Sequence, residues 1–116
     1  MPYHKLEVYK KAYGLALEVH KLALTFPKIE QYELASQLRR ASKSIAANIA
    51  EGMGKQESKA DVRHFIRTAI GSADESRVWL EFAKDLDYVT VLQYEAYDGR
   101  FQEVGRMLQG IIKRYE

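Results

Sequence analysis

The sequence predicts an all-α protein, an antiparallel up-down-up-down four-helix bundle in one domain over residues 1–116. Three observations predict it. Apolar residues recur at helical spacing in four stretches of about 20–28 residues each. The breaks between those stretches are short and carry Pro27, Gly52, Gly54 and two capping signatures. Nowhere does the chain alternate with the period of two that a half-buried strand requires.

Leu6, Val8, Tyr9, Ala12, Leu15, Ala16, Val19, Leu22 and Phe26 place the first helix over roughly 6–26. Pro27 ends it, because proline disfavours helix in the residue before it. The link from Pro27 to Gln31 is short and favours antiparallel packing of the second helix, over roughly 32–53. That helix stops near Gly52 and Gly54, where a left-handed residue is easily placed. Ser58 followed by Asp61 reads as a capping box that opens the third helix. Val62, Ile66, Ala69, Ala73, Ser76, Leu80 and Ala83 follow in alternating steps of four and three, the spacing of a bundle seam. Phe65, Ser72, Trp79 and Leu86 form a second line beside it. Gly71 costs about 1 kcal/mol against alanine inside a helix, so a partner helix is expected to approach closely there. Thr90 with Gln93 caps a fourth helix over roughly 91–115, whose apolar face holds Val91, Leu92, Tyr94, Tyr97, Phe101, Val104, Met107, Leu108, Ile111 and Ile112.

The second helix organises the chain. At 100° per residue, Leu34, Leu38, Ala41, Ile45 and Ile49 form one apolar stripe. Gln37, Ser44, Asn48 and Glu51 form a polar stripe beside it, where two helices or two subunits meet. Polar groups at such a seam must find partners or cost about 1–3 kcal/mol each. With Ser72 and Glu75 of the third helix they read as a structural network, Asn48 and Glu51 against Ser72, that fixes helix register. A ligand or metal site at the Asn48–Glu51 seam is the competing reading.

The chain contains no cysteine, which excludes disulfides, thiol catalysis and cysteine-based metal sites. No apolar run is long enough to span a membrane, and the opening residues show no signal-peptide pattern, so a cytoplasmic location is expected. The net charge of +2 does not announce a nucleic-acid binder, but its distribution is uneven. Residues 1–35 carry +1, residues 36–67 carry +4 and residues 68–116 carry −3. The excess comes from Arg39, Arg40 and Lys43 on helix two with Lys59, Arg63 and Arg67 on helix three. The last three fall at i, i+4 and i+8, a ridge able to track phosphates. No aromatic alternates with these cations, so backbone and shape recognition is the expected mode.

Catalysis finds little support. A di-iron bundle needs two Glu-x-x-His pairs, and this chain has none; Asp61-Val62-Arg63-His64 is the nearest approach. No Gly-x-Ser-x-Gly elbow and no phosphate-binding loop motif occur. The expectation is a protein without enzymatic activity, cofactor or metal.

A resemblance adds context. Leu6-x-Val8-Tyr9-x-x-Ala12, Phe26-Pro27 and Gln37-Leu38-Arg39-Arg40-Ala41-x-x-Ser44-Ile45-x-x-Asn48-Ile49-Ala50-Glu51-Gly52 resemble the small bacterial proteins named for intervening sequences in 23S rRNA genes. The likeness continues through Phe65-x-x-x-Ala69-x-Gly71-Ser72-x-x-Glu75 and Asp85-Leu86-x-Tyr88. Glu33 and Asp87 depart from it, since glycine is expected at both helix boundaries. The resemblance implies an antiparallel four-helix bundle assembling as a homopentamer. It also implies kinship with the accessory protein of diversity-generating retroelements, which engages nucleic acid and a reverse transcriptase. The combined expectation is a non-enzymatic homo-oligomer that binds structured RNA, such as ribosomal RNA, through a basic face on helices two and three. The alternative is a protein-interaction scaffold, or an accessory factor for a polymerase or reverse transcriptase, with nucleic-acid contact secondary.

Overall fold

A computed structural model describes residues 2–116. Four α-helices make up the fold: α1 (Glu7–Leu24), α2 (Leu34–Met53), α3 (Lys59–Asp85) and α4 (Val91–Arg114). No strand occurs among the described residues. The molecule is elongated, 45 × 24 × 20 Å, as helices of this length laid side by side require.

Each boundary has a local cause. A 3-10 turn at Tyr3–Lys5 precedes α1, which therefore begins at Glu7. Thr25 closes α1 by donating its hydroxyl to the Leu22 carbonyl at 2.6 Å, two residues short of the end read from the sequence. Phe26 then turns into the core, and Pro27 leads into a second 3-10 turn at Lys28–Glu30. These turns delay α2 to Leu34. Ser58 accepts from the Asp61 backbone N–H at 3.2 Å and starts α3 as the sequence signalled. The Thr90–Gln93 box is reciprocal, with bonds of 3.0 and 2.8 Å. Asp87, where glycine was expected, carries φ 64°; aspartate is one of the few residues that tolerates this left-handed conformation.

Leu34, Leu38, Ala41, Ile45 and Ile49 are all buried, as the apolar stripe of α2 required. The α3 line of Val62, Ile66, Ala69, Ala73, Ser76, Leu80 and Ala83 is buried throughout. α2 packs against both α1 and α3, α3 against α4, and α4 returns to α1 through a thinner contact. Gly52 lies beside Phe65 and Ile66, while Ser44 meets Ser72. Arg77 bonds Asp98, while Arg63 bonds Tyr115. Along each pair the numbers rise on one helix as they fall on the other. On α4, Tyr94 and Tyr97 lie half-buried against the core, whereas Val91 and Leu92 of the expected apolar face are exposed in the first turn, ahead of the first residues that pack on the core.

Gly71 corrects one expectation. A Cβ there would meet nothing within 4 Å, so no helix of this chain approaches it. The close approach belongs to Gly52, where a Cβ would sit 3.2 Å from the Cβ of Phe65.

Candidate nucleic-acid interface

The six cations singled out in the sequence occupy three different situations. Arg39 is built into the α1–α2 connection: its guanidinium donates to the side-chain and backbone oxygens of Gln31 at 3.0 and 2.9 Å. Gln31 in turn donates to the carbonyls of Ala23 and Phe26, both at 3.0 Å. Arg63 ties α3 to the end of α4 by donating to the Tyr115 carbonyl. Arg40, Lys43, Lys59 and Arg67 are exposed. None of the six is paired with a carboxylate among the described residues. The ion-paired cations are Lys10, Lys11, Arg77, Lys84 and Arg100, all outside this set.

The six do not form one continuous ridge. Ser72 contacts α2 through Ser44. At 100° per residue Arg63 then projects from the opposite flank of α3, and Arg67 follows it one turn on. Lys43 lines a groove of about 380 Å³ between α1 and α2, with Tyr9, Tyr13, Leu17, Ala47 and Ala50. Lys43 therefore lies on the far side of the α2–α3 pair from Arg63 and Arg67, whereas Arg40, one turn before Ser44, stays on the edge of α2 nearer α3. The helix-two and helix-three cations are also staggered along the pair, because Ser44 is level with Ser72 and Gly52 with Phe65.

His20 lies beneath the helix-two cations. Its Nδ1 is buried without a hydrogen-bond partner among the described residues. Burial lowers its pKa first, and the positive charges of Lys43 and Arg39 lower it further. The folded state thus resists a proton that the unfolded chain accepts near its ordinary value of 6.5. Stability from this group is complete above that value and is lost as pH falls below it toward the folded pKa. The urea midpoint should drop between about pH 7.5 and about pH 5.5, and His20→Gln should flatten that drop. An unchanged pH profile in the variant would show that His20 is not the responsible group.

The polar stripe resolves into a smaller network than expected. Asn48 donates to the backbone and side-chain oxygens of Ser44 at 2.8 and 3.0 Å. The Ser72 hydroxyl reaches Ser44 Oγ at 2.9 Å, joining α3 to α2. Glu51 is exposed and takes no part, so Asn48 meets Ser72 through Ser44 and without Glu51. Glu75 accepts from Trp79 Nε1 at 3.0 Å on its own helix. Gln37 lines a surface depression with Tyr32, Trp79, Phe82 and Leu86. No group of three or more metal-ligating side chains occurs among the described residues.

Sequence reasoning missed a polar cluster between α3 and α4. Asp98 is buried, accepting Arg77 Nε at 2.7 Å and Gln102 Nε2 at 2.7 Å. The bond to Asp98 raises the pKa of Arg77. The available signal was the position of Asp98, three residues before Phe101 and so on the same edge of the helix. A bidentate pair, Arg100 to Glu18 at 2.9 and 2.6 Å, joins α4 to α1.

A family model described as 23S rRNA-intervening sequence protein matches residues 4–110. A solved structure is also similar, that of a protein of unknown function from the S23 ribosomal protein family of Bacteroides thetaiotaomicron. It is 29% identical, with 97% of this chain and 99% of that chain covered and a TM-score of 0.85. No curated protein was found to match. No helix of the described residues is long and apolar enough to cross a membrane.

Proposed function

Because the chain belongs to the 23S rRNA-intervening sequence protein family, we propose that it is a non-enzymatic, cytoplasmic homo-oligomer, a pentamer, that binds structured RNA through surface cations. The carrying observation is that Arg40, Lys43, Lys59 and Arg67 are exposed and meet no carboxylate among the described residues. Unneutralised cations on a rigid helical frame favour phosphate, whose binding releases counterions. Self-association is supported by large apolar side chains left in water. Tyr13 and Leu17 are each 51% exposed on α1, and Phe82 and Leu86 are 52% and 49% exposed near the end of α3. Such surface is more than isolated exposed residues, because each set adjoins a groove or depression.

Titrating the protein into labelled structured RNA over a salt series tests the reading, with light scattering to give the assembled mass. Log affinity should fall linearly with log salt, by about 0.9 per phosphate engaged. Failure to bind at low salt would remove the RNA assignment. The cluster of Tyr32, Trp79, Phe82 and Leu86 favours a second reading, a protein partner of polymerase type. A stoichiometric protein retained after nuclease treatment, together with absent RNA binding, would select it.

A further inference from the structure

We propose that the α3–α4 seam, at the end of the bundle where α4 finishes, is a groove for the phosphate backbone of an RNA duplex. Lys59, Arg63 and Arg67 form one lip, and Arg106 and Lys113 form the other. The inference rests on the RNA reading above and relocates it, from a face shared by helices two and three to a seam that α4 completes.

The register places these residues together. Arg63 donates to the Tyr115 carbonyl, and fourteen residues on, Arg77 donates to Asp98. Ile70, Asp74 and Arg77 line a depression with Gln102, Arg106 and Gln109. Arg67 continues the α3 side of that depression toward Arg63. On α4, Arg106, Gln109 and Lys113 follow at i, i+3 and i+7, a single stripe on the helix. Arg67, Arg106 and Lys113 are exposed and have no partner among the described residues. Arg63 is fixed by one of its five donors, which leaves the others directed but unengaged.

Charge along the seam is polarised. No carboxylate interrupts this flank of α3 between Lys59 and Arg67, and Asp61 projects from the far side. Asp74 is the first acid and Glu81 follows beyond it, while Asp98 is buried and neutralised by Arg77. An extended anion laid in the groove is thus attracted at one end and repelled at the other. Lys59 to Arg67 spans about 12 Å at 1.5 Å per residue, close to the axial rise of three to four base pairs of a duplex at about 3.4 Å each. The lips offer no exposed aromatic for base stacking: Phe101 is buried, and the Tyr115 hydroxyl donates to Gln56 at 3.0 Å. Cations on two lips without a stacking platform suit the backbone of a duplex rather than splayed single-stranded bases.

The test compares two double variants on a short RNA duplex. Arg106→Gln with Lys113→Gln should weaken binding by about tenfold or more at low salt and lower the salt slope by about 2. Lys21→Gln with Lys28→Gln, exposed at the opposite end of the bundle, should change affinity less than about threefold. All four side chains are exposed, and unchanged thermal melting verifies that the variants fold. Equal losses from the two pairs would overturn the seam while leaving RNA binding in place, as would a larger loss from a third variant, Arg40→Gln with Lys43→Gln, than from the α4 pair. A single strand of the same sequence that binds more tightly than the duplex would also overturn it. A parent chain that binds no RNA would remove the reading above and the seam with it.

Discussion

Gly52→Leu should destabilise the bundle by about 2–3 kcal/mol, and Gly71→Ala should stabilise it by up to about 1 kcal/mol. Both glycines lie inside helices, where glycine is unfavourable, yet their surroundings are opposite. A Cβ at Gly52 would lie 3.2 Å from Phe65 Cβ and 3.5 Å from the Val62 carbonyl oxygen. Neither atom is the end of a flexible side chain, so relief requires α2 and α3 to move apart. A single methyl gains helix propensity and loses contact geometry, so Gly52→Ala should be close to neutral. Leucine adds an isobutyl group for which the contact has no room. At Gly71 nothing lies within 4 Å, and the gain in propensity is unopposed. Urea denaturation at one fixed protomer concentration measures both, since assembly makes stability depend on concentration. A Gly52→Leu chain as stable as its parent would mean that α2 and α3 do not touch there.

The same pair of glycines shows what the sequence disclosed and what it withheld. Periodicity identified all four helices, and Ser58 and Thr90 marked two starts to the residue, because these signals are local. The α2 stripe from Leu34 to Ile49 was legible for the same reason. Which glycine a neighbouring helix approaches depends on relative rotation and register of two helices, and that is set by every packed residue along them. Arg39 and Arg63 followed the same pattern. On a helical wheel they point outward, but their long side chains reach backbone carbonyls at Gln31 and Tyr115, in a connection and at a helix end that no wheel contains.

The seam was hidden by averaging. Counted as one segment, residues 68–116 are acidic, with six Lys/Arg against nine Asp/Glu. Within them, residues 74–103 carry three against eight, whereas residues 104–116 carry three against one. The acidic part belongs to the α3–α4 turn and its flanks, and the basic part to the far end of α4. Antiparallel packing then returns that basic end to the start of α3. A finer charge window would have found Arg106, Lys113 and Arg114. It would not have shown that Arg106 and Lys113 share a flank with Arg67, which needs the register set by Arg77 and Asp98.

Phe101→Ala should cost about 3–5 kcal/mol, the range for removing a fully buried phenylalanine and leaving a cavity. Phe101 is 1% exposed and heads the largest fully enclosed side chains of the core. Its position makes the loss consequential for α4. This helix packs on α3 and only thinly on α1, and it buries Phe101, Val104, Leu108, Ile111 and Ile112 from its middle onward. Asp98, holding Arg77 and Gln102, lies on the same edge, and Arg100 grips Glu18 on the α1 side. The polar bonds orient the helix, while Phe101 supplies the apolar burial that keeps it in place. Measured against a total stability of about 5–15 kcal/mol for a domain, the truncation removes a large share. Phe101→Leu, which keeps most of the volume, should cost less than about 1.5 kcal/mol. Urea titrations of both variants at matched concentration check the ordering. If alanine costs no more than leucine, α4 is not packed through Phe101. The placement of Arg106 and Lys113 opposite Arg67 would then rest on the Arg77–Asp98 and Arg63–Tyr115 bonds and on the burial of Val104, Leu108, Ile111 and Ile112.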